Sequence, residues 1–543
     1  MKILLIEPNY KNKYPPMGLM KISTYHKDRG DIVRFYKGCM PEDELKKYAP
    51  ERVYITSLFT FYYDKVLDTL NYYRRYFADK NIFLGGIMVT ILYDKVVQET
   101  GLENLMSGLL EDSEVLGLGD NVNVDQLPLD YSILDQIDYE YPADGNYFAY
   151  TTRGCPNKCS FCAVPILEPQ FHATNNIKKQ IIDVNLEYGE KRNLLLLDNN
   201  IFNLTVEELE ILVADLKAVG FTKEPTFIKD NAFDNFIKKS DEPYLHDRVV
   251  DAAVKYLEAF PKRIKNERQK KEYLFILDLL KFCKDKKYFM KSHKNWIKKY
   301  IDKYTKKIKL QRYIDFNQGL EAARMTPQKM AVLAQLPLRP VRIAFDHYNP
   351  GAVTLYKKAV RTAAQCGVTE FSNYMLYNFD DKPEDLWYRI RINIDLAKEL
   401  GIRMFSFPMK YMPITETDRS HIGLYWNKKY LQSIQAILLV TKGIVAGGEE
   451  FFERAFGETV DKFYEILAMP KDFIIYRKYY EDKGYAQIWK QYYDSFSEDE
   501  KNQLIQILSG TLNEYAHNTF EPILKFYGTE YRYTYLRKGE ADF

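Results

Sequence analysis

From about residue 147 the sequence alternates short apolar runs with amphipathic helical stretches, and this alternation limits the fold more than any other feature. Apolar runs between helices are typical of parallel strands covered by helices on both faces. We expect six such strands, at 147–152, 193–198, 312–316, 341–346, 372–378 and 403–407. Six β–α units predict an open or partial barrel, (β/α)6, in which ligands bind at the carboxyl ends of the strands.

Helix boundaries between these strands carry ordinary sequence signals. A helix over 205–219 has one apolar face, and Thr326-Pro327 predicts an N-cap followed by proline at the first helical position. A further helix opens near Pro383 and ends at Gly401. The fold class is therefore α/β.

The rest of the chain divides around this core. Residues 1–125 predict a Rossmann-like domain of about three to five strands, in which Gly85-Gly86 marks either a ligand approach or a plain turn. Residues 126–146 predict a linker, and the core spans 147–415 with a helical insertion at 221–310. A helical domain at 427–543 follows, with helices expected at 430–442, 451–467 and 498–508.

Composition limits the class of protein. The chain has 543 residues, which fits two or three domains, and 77 basic against 75 acidic residues indicate no polyanionic partner for the chain as a whole. No apolar run reaches the length of a membrane span, so we expect no membrane partner. Six cysteines are too few for a disulfide scaffold, and a reducing cytoplasm is expected.

Three of those cysteines follow the first predicted core strand. Cys155, Cys159 and Cys162 form a C-x3-C-x2-C triplet, and the nearest further cysteine or histidine is His172. Three thiolates on one loop suit an iron–sulfur cube that leaves one iron without a protein ligand. A zinc knuckle is the alternative, and it would need a fourth ligand near the loop.

The order strand, Arg-Gly-Cys155-x3-Cys159-x-Phe-Cys162 and five further β–α units resembles the radical S-adenosylmethionine (SAM) enzymes. The resemblance implies a 4Fe–4S cluster on these cysteines, whose open iron binds SAM. It also implies reductive cleavage of SAM to a 5′-deoxyadenosyl radical that abstracts hydrogen from a substrate, and an electron donor such as flavodoxin or ferredoxin. The preceding domain is similar to the cobalamin-binding-type domain of many members.

The family's SAM contacts suggest further site residues here. After the second strand, Asp198-Asn199-Asn200 stands where the family usually has Gly-Gly-Glu, and an N-cap is the alternative role for any one of them. Polar side chains at the ends of the third and fifth strands are the other candidate SAM contacts: Asn317, Gln318, Arg324 and Asn378.

Cobalamin stays open as a cofactor. The family's lower-ligand pattern Asp-x-His-x-x-Gly is absent, since Thr24 stands where aspartate should precede His26. Methyl transfer with cobalamin is one alternative reaction. Methylthiolation is disfavoured, because that reaction's enzymes carry an N-terminal cysteine triplet and residues 1–146 contain only Cys39. A second cluster that uses Cys39, Cys283 or Cys366 is a further alternative to isolated thiols.

The insertion carries an excess of positive charge. Residues 262–312 hold nineteen Lys or Arg against five Asp or Glu, with Trp296, Tyr300 and Tyr304 at helical spacing. Clustered cations with aromatic residues can bind nucleic acid, whereas a solvated helical face is the commoner meaning. A non-catalytic iron–sulfur protein that binds nucleic acid is therefore the alternative from another functional class.

Overall fold

The structure is a computed structural model that describes residues 1–174, 176–512 and 518–540. The chain forms two compact units. The first comprises Met1–Gln318, Gln335–Leu338 and Ile414–Asp418, and the second comprises Gly319–Ala334, Arg339–Pro413 and Arg419–Phe543. Both units contain helices and parallel strands, as the α/β prediction requires. Within the described residues no helix is long and apolar enough to span a membrane.

The first unit opens with a five-stranded parallel sheet in the order β2-β1-β3-β4-β5. This doubly wound order reverses direction between β1 and β3, and ligands of such sheets bind at the carboxyl edge near that point. The elements are β1 Lys2–Glu7, α1 Met17–Asp28, β2 Ile32–Lys37, α2 Glu42–Tyr48, β3 Arg52–Ser57, α3 Tyr63–Arg74, β4 Ile82–Gly86, α4 Ile87–Ile91, α5 Tyr93–Thr100 and β5 Leu105–Met106.

Gly86 ends β4 because the neighbouring strand leaves no room for a side chain. Its φ is 105°, and a Cβ there would lie 2.2 Å from the carbonyl oxygen of Ser57 on β3. The close approach that the glycine permits is therefore one of strand to strand.

His26 on α1 is fully buried. Its Nδ1 lies 2.8 Å from Asp31 Oδ2 and its Nε2 lies 3.0 Å from the Tyr54 hydroxyl, so both ring nitrogens have partners inside the domain. Burial lowers the pKa of His26 to about 4, although the Asp31 carboxylate acts in the opposite direction. The imidazole is a neutral element of the core.

The predicted linker is packed rather than exposed. Gln136 accepts a hydrogen bond from the backbone N–H of Phe35 at 2.7 Å, and the Tyr131 hydroxyl donates to Asn146 O at 2.9 Å. The Tyr141 hydroxyl donates to the buried carboxylate of Glu7. The segment therefore fixes the end of the N-terminal sheet against the start of the core.

The first unit also contains the first three core strands, which form a parallel sheet in the order β12-β9-β6. A short antiparallel pair, β7 with β8, follows the first of them. The elements are β6 Asn146–Ala149, β7 Thr152–Arg153, α6 Val164–Leu167, β8 His172–Ala173, α7 Ile177–Tyr188, β9 Asn193–Leu196, α8 Val206–Ala218 and β12 Ile314–Phe316. Thr205 caps α8 in a capping box with Glu208, which fits the predicted boundary.

The insertion between α8 and β12 is a helical bundle with its own core. Its elements are β10 Phe227–Ile228, α9 Ala232–Lys239, α10 Asp247–Ala259, α11 Glu267–Phe282, α12 Lys286–Ser292, α13 Lys294–Tyr304 and β11 Lys309–Leu310. Seventeen buried residues from Phe233 to Ile301 form that core. Tyr300 belongs to it, and Trp296 and Tyr304 pack against it.

The second unit holds the other three core strands. The sheet runs β13-β14-β15-β16, parallel except for the last strand. The elements are α14 Pro327–Leu333, β13 Val341–Arg342, α15 Pro350–Gln365, β14 Glu370–Tyr377, α16 Pro383–Leu400, β15 Arg403–Lys410, α17 Lys428–Val440 and β16 Val445–Ala446. Each of the six predicted strand positions thus holds a strand.

A helical region completes the second unit. Its helices are α18 Glu449–Phe456, α19 Val460–Ala468, α20 Lys471–Ile475, α21 Arg477–Asp482, α22 Tyr485–Asp494, α23 Glu498–Ser509, α24 Glu521–Leu524 and α25 Tyr533–Glu540. The single helix predicted over 451–467 is two helices. Gly457 separates them at φ 84°, where a Cβ would lie 2.8 Å from Phe463 N, and Thr459 caps the second.

The buried imidazole of His26 predicts a loss of stability in mild acid. The unfolded chain takes up a proton near the ordinary pKa of 6.5 and the folded chain only near 4, so falling pH favours unfolding through that window. We expect this group to remove about 2 kcal/mol of stability between pH 7 and pH 5. The change in melting temperature over that range should be smaller in His26→Gln than in the wild type and in the exposed control His172→Gln. Equal changes in all three proteins would contradict the role assigned to His26.

Candidate functional site

The cysteine loop starts at a glycine that its surroundings require. Gly154 has φ +69°, and a Cβ there would lie 2.2 Å from Gln170 O and 2.9 Å from Glu168 O. Arg153 pairs with His172 across the β7–β8 ladder, so both ends of the loop are held together. The Arg-Gly pair before the first cysteine is thereby explained by backbone packing.

The three thiols occupy one continuous segment between β7 and α6, and none forms a disulfide. Cys155 and Cys162 are half-buried and Cys159 is exposed. Asn200 Nδ2 lies 3.7 Å from Cys155 Sγ, and the backbone N–H of Val164 points to Cys162 Sγ at 3.5 Å. Such donors stabilise thiolates and tune metal clusters.

A buried chain of charges supports the loop. Arg153 NH2 lies 2.5 and 2.7 Å from the two carboxylate oxygens of Asp125, and its NH1 lies 2.7 Å from Glu168 Oε1. Lys21 of α1 donates to the same Asp125 at 2.7 Å. The guanidinium also stacks over the Tyr150 ring at 3.5 Å. Burial acts to lower the pKa of Arg153, but Tyr150 and the two carboxylates outweigh it and raise that pKa.

Glu168 links the end of the loop to its beginning. Its Oε2 accepts the backbone N–H of Gly154 at 2.7 Å and the amide of Asn199 at 2.8 Å. Sequence reasoning missed Glu168, Arg153 and Asp125 as site residues. Charge alone gives no signal at these positions, because the pairing joins segments that lie far apart in the chain.

The carboxylate of Asp198 joins two strand ends. Its Oδ1 accepts the backbone N–H of Thr151 at 2.9 Å and the Thr152 hydroxyl at 2.8 Å, together with the hydroxyl of Thr151 and the backbone N–H of Thr152. Burial raises the pKa of Asp198, and these donors act in the opposite direction. Its buried Oδ2 has no hydrogen-bond partner in the part of the chain that the structure describes.

The third strand ends at Asn317 and Gln318. Asn317 is buried, and its Oδ1 accepts a hydrogen bond from the Tyr14 hydroxyl at 2.7 Å. Its backbone N–H donates to Leu196 O at 3.1 Å, which continues the pairing with β9. The side chain of Gln318 is exposed. The structure therefore brings five predicted residues, from Asp198 to Gln318, to the carboxyl ends of two paired strands.

The remaining predicted contacts belong to the second unit. Arg324 is on the surface and pairs with Glu321 at 2.9 Å. Asn378 is buried at φ 67°, and its amide nitrogen donates to Tyr411 O and His421 O, each at 3.2 Å. Its Oδ1 accepts the backbone N–H of Gly423 at 2.8 Å. In the apo chain Asn378 thus joins the end of β14 to two following segments.

The other three cysteines belong to three different segments of the chain. Cys39 is exposed, Cys283 caps α11, and Cys366 caps α15. Across 1–174, 176–512 and 518–540, no three Cys, His, Asp or Glu side chains converge as a single metal ion would require, and this includes the loop triplet. The alternative of a second cluster stays a prediction.

An apolar surface lies at the carboxyl edge of the N-terminal sheet. Tyr10 stacks on Tyr62 with ring centroids 4.7 Å apart, and Phe59 beside them is 46% exposed. The turn Thr60–Tyr62 lies next to α4, which begins with the exposed Ile87. Helix α4 in turn packs on α6, the helix that follows the cysteine loop. This edge surface, defined by Phe59, Tyr62 and Ile87, with Tyr10 buried against Tyr62, is therefore close to the loop.

Comparison with known proteins gives a likeness among solved structures. No family model and no curated protein matches the chain. Among solved structures, a similar one is that of the apo, selenomethionine-labelled, cobalamin-dependent S-adenosylmethionine radical enzyme OxsB. The identity is 10%, the TM-score is 0.36, and the match covers 94% of this chain and 70% of that one. At that similarity we base the function of this chain on its own residues.

Replacement of Gly154 should open the cysteine loop. In Gly154→Ala the methyl group would collide with Gln170 O and hold a disfavoured φ, so we expect a loss of about 2 kcal/mol or more. Limited proteolysis mapped by mass spectrometry should then cut between residues 150 and 172 faster than in the wild type. Gly145→Ala is the matched control, since nothing lies within 4 Å of its Cβ position. Equal protection of both variants would show that the close approach does not hold the loop.

Proposed function

We propose that this chain is a radical SAM enzyme that holds a 4Fe–4S cluster on Cys155, Cys159 and Cys162. The observation that carries the proposal is a loop of three cysteines, none in a disulfide, fixed at the carboxyl end of the first core strand by Gly154 and Glu168. The chemistry that such a cluster supplies is a one-electron reduction that cleaves SAM. The protein's part is to hold the thiolates, orient SAM and exclude competing reactions.

The ligand set favours a cube over a single zinc ion. A structural zinc site needs a fourth ligand near the loop, and the nearest further cysteine or histidine in the sequence is His172. A cube distributes its thiolates over different irons. The Asn200 amide near Cys155 and the Val164 N–H near Cys162 would stabilise the negative charge on those sulfurs.

The proposed SAM contacts use polar atoms that each side chain could present to a ligand. The buried Oδ2 of Asp198 is an acceptor at these strand ends without a hydrogen-bond partner in the described chain, and a bound ammonium or a water would satisfy it. Asn199, Asn200 and Gln318 would orient the amino-acid end of SAM from the same strand ends. In the second unit, Arg324 and Asn378 are the proposed contacts for the carboxylate and ribose.

The larger arrangement is part of the proposal. Two sets of three parallel strands would together form the six-stranded partial barrel, with 221–310 as an insertion and 427–543 as a helical domain. A flavodoxin or ferredoxin would supply the electron. A substrate would supply the hydrogen that is abstracted.

Anaerobic reconstitution with iron and sulfide tests the cluster and the reaction separately. The wild type should gain absorbance near ~400 nm, typical of thiolate-ligated iron–sulfur sites. Reduction in the presence of SAM should then release 5′-deoxyadenosine. Replacement of all three loop cysteines by alanine should abolish both signals.

The matched control replaces Cys39, Cys283 and Cys366 by alanine, because these thiols lie outside the loop, and it should keep both signals. A cluster without 5′-deoxyadenosine would refute the radical reaction and favour the non-catalytic alternative. Absence of any cluster in the wild type would leave a zinc site as the alternative for the three cysteines.

Cobalamin-dependent methyl transfer is the second candidate, and the edge surface favours it. A corrin ring is flat and largely apolar, and aromatic side chains at the switch point between β1 and β3 would contact its face. His26 is buried between Asp31 and Tyr54 and offers no nitrogen to cobalt. Cobalamin would therefore bind without a histidine lower ligand.

Equilibrium dialysis with hydroxocobalamin tests this candidate. Phe59→Ala should weaken binding about tenfold, a loss of about 1.4 kcal/mol that is typical of a buried aromatic contact. Phe282→Ala, which removes a more exposed phenylalanine elsewhere, should bind as the wild type does. The absence of binding, or equal loss in both variants, would exclude a corrin site at this edge without affecting the cluster proposal.

A further inference from the structure

Helix α11 of the insertion is apolar on two opposite faces. Its inward face, with Tyr273, Ile276, Leu277 and Leu280, is buried in the bundle core. Outward, Phe275, Leu279 and Phe282 follow one another at the i, i+4 and i+7 positions that form a stripe on a helix. Phe275 is 58% exposed and Phe282 is 88% exposed. We call these three residues, with the neighbouring Leu274 and Tyr288, the α11 outer face.

The α11 outer face is surrounded by positive charge. Residues 262–312 hold nineteen basic and five acidic residues. Lys271, Lys284 and Lys286 are exposed, and no ion pair involves them within the described residues. The acids on this face are Asp278, whose Oδ1 lies 4.0 Å from Lys281, and Glu272, whose Oε1 lies 3.3 Å from Arg268. An occupant of this surface must therefore combine negative charge with apolar groups.

Charge excludes a second copy of the chain as that occupant. A symmetric interface would bring two excesses of lysine together, and like charges at close range are strongly unfavourable. Nucleic acid fits less well than an amphiphile. The aromatic residues that the sequence suggested for nucleic acid are not available, since Tyr300 is buried and Trp296 and Tyr304 pack against the bundle core. Bases could stack on the exposed rings of Phe275, Phe282 and Tyr288, but Leu274 and Leu279 add aliphatic surface that an acyl layer would cover and stacked bases would not.

We propose that the α11 outer face docks the protein on an anionic lipid surface. Exposed leucine and phenylalanine beside clustered lysines are typical of helices that lie in a membrane interface. The near-complete exposure of Phe282 means that the protein builds no pocket around it, and a fluid acyl layer needs none. The lysines on either side would contact lipid phosphates. Docking of this kind is peripheral, since α11 also forms part of the bundle core. It departs from the expectation of no membrane partner, which considered only segments long enough to span a membrane.

Sedimentation of the full chain with vesicles tests the proposal. The probes are vesicles of phosphatidylcholine alone and of phosphatidylcholine mixed with phosphatidylglycerol. Binding to the mixed vesicles should be at least about tenfold tighter than to neutral ones and should weaken as salt is added. The double variant Phe275→Ser with Phe282→Ser should lose most of that binding, and both changes lie on the surface, so the fold should persist.

The control is Leu186→Ser, which removes an apolar side chain that is 82% exposed on α7, outside the α11 outer face, and should bind as the wild type does. A second variant with Lys271, Lys284 and Lys286 changed to glutamine should also bind mixed vesicles at least about tenfold less. Equal binding to neutral vesicles, or unchanged binding of the phenylalanine variant, would overturn the proposal. Absence of vesicle binding would overturn it as well. If the protein then bound single-stranded RNA in a salt-sensitive way, and the phenylalanine variant kept that binding, the basic surface would be a nucleic-acid site.

Discussion

The position of the cysteine loop depends on one buried cation. Arg153 is almost inaccessible to solvent and is neutralised by Asp125 before it and Glu168 after it in the chain. A buried ion pair adds little net stability, because desolvation offsets the attraction, but loss of one partner costs roughly 3–5 kcal/mol. The ion pairs of Arg153 therefore determine the geometry of the loop more than they add to the stability of the fold. They fix both ends of the loop that carries the three thiols, and Lys21 extends the same charge chain into the N-terminal domain.

That extension makes the N-terminal domain part of the site's support. Tyr14 donates to Asn317 at the end of β12, and Lys21 donates to the Asp125 that holds Arg153. Residues 126–146, expected as a linker, are packed through Tyr131 and Tyr141 rather than exposed. A ligand bound at the edge surface would contact an element, α4, that packs directly on the helix after the loop. Within the first unit, direct contacts thus connect the carboxyl edge of the N-terminal sheet with the cysteine loop.

Sequence patterns predicted the features of the fold that depend on residues close together in the chain. The strand positions, the N-cap at Thr326 and the helix that ends at Gly401 all follow from apolar periodicity and capping, which act within a few residues. The helix break at Gly457 was missed, since one glycine is tolerated in many helices and the need for it arises from contact with Phe463. Glu168 was missed for the same reason, because its partners Gly154 and Asn199 approach it only in the folded chain.

The polar residues at the strand ends have two possible roles, which the sequence alone does not separate. Dense polar clusters after buried strands predict ligand contacts, yet the same side chains must also satisfy the backbone groups that strands leave at their ends. Asp198 does this for Thr151 and Thr152, and Asn378 does it for Tyr411, His421 and Gly423. Such a residue can bind a ligand through a polar atom that has no hydrogen-bond partner in the described chain, such as Asp198 Oδ2. A ligand that uses Asn378 would have to replace those three bonds, so its affinity depends on rearrangement of the segments that Asn378 holds.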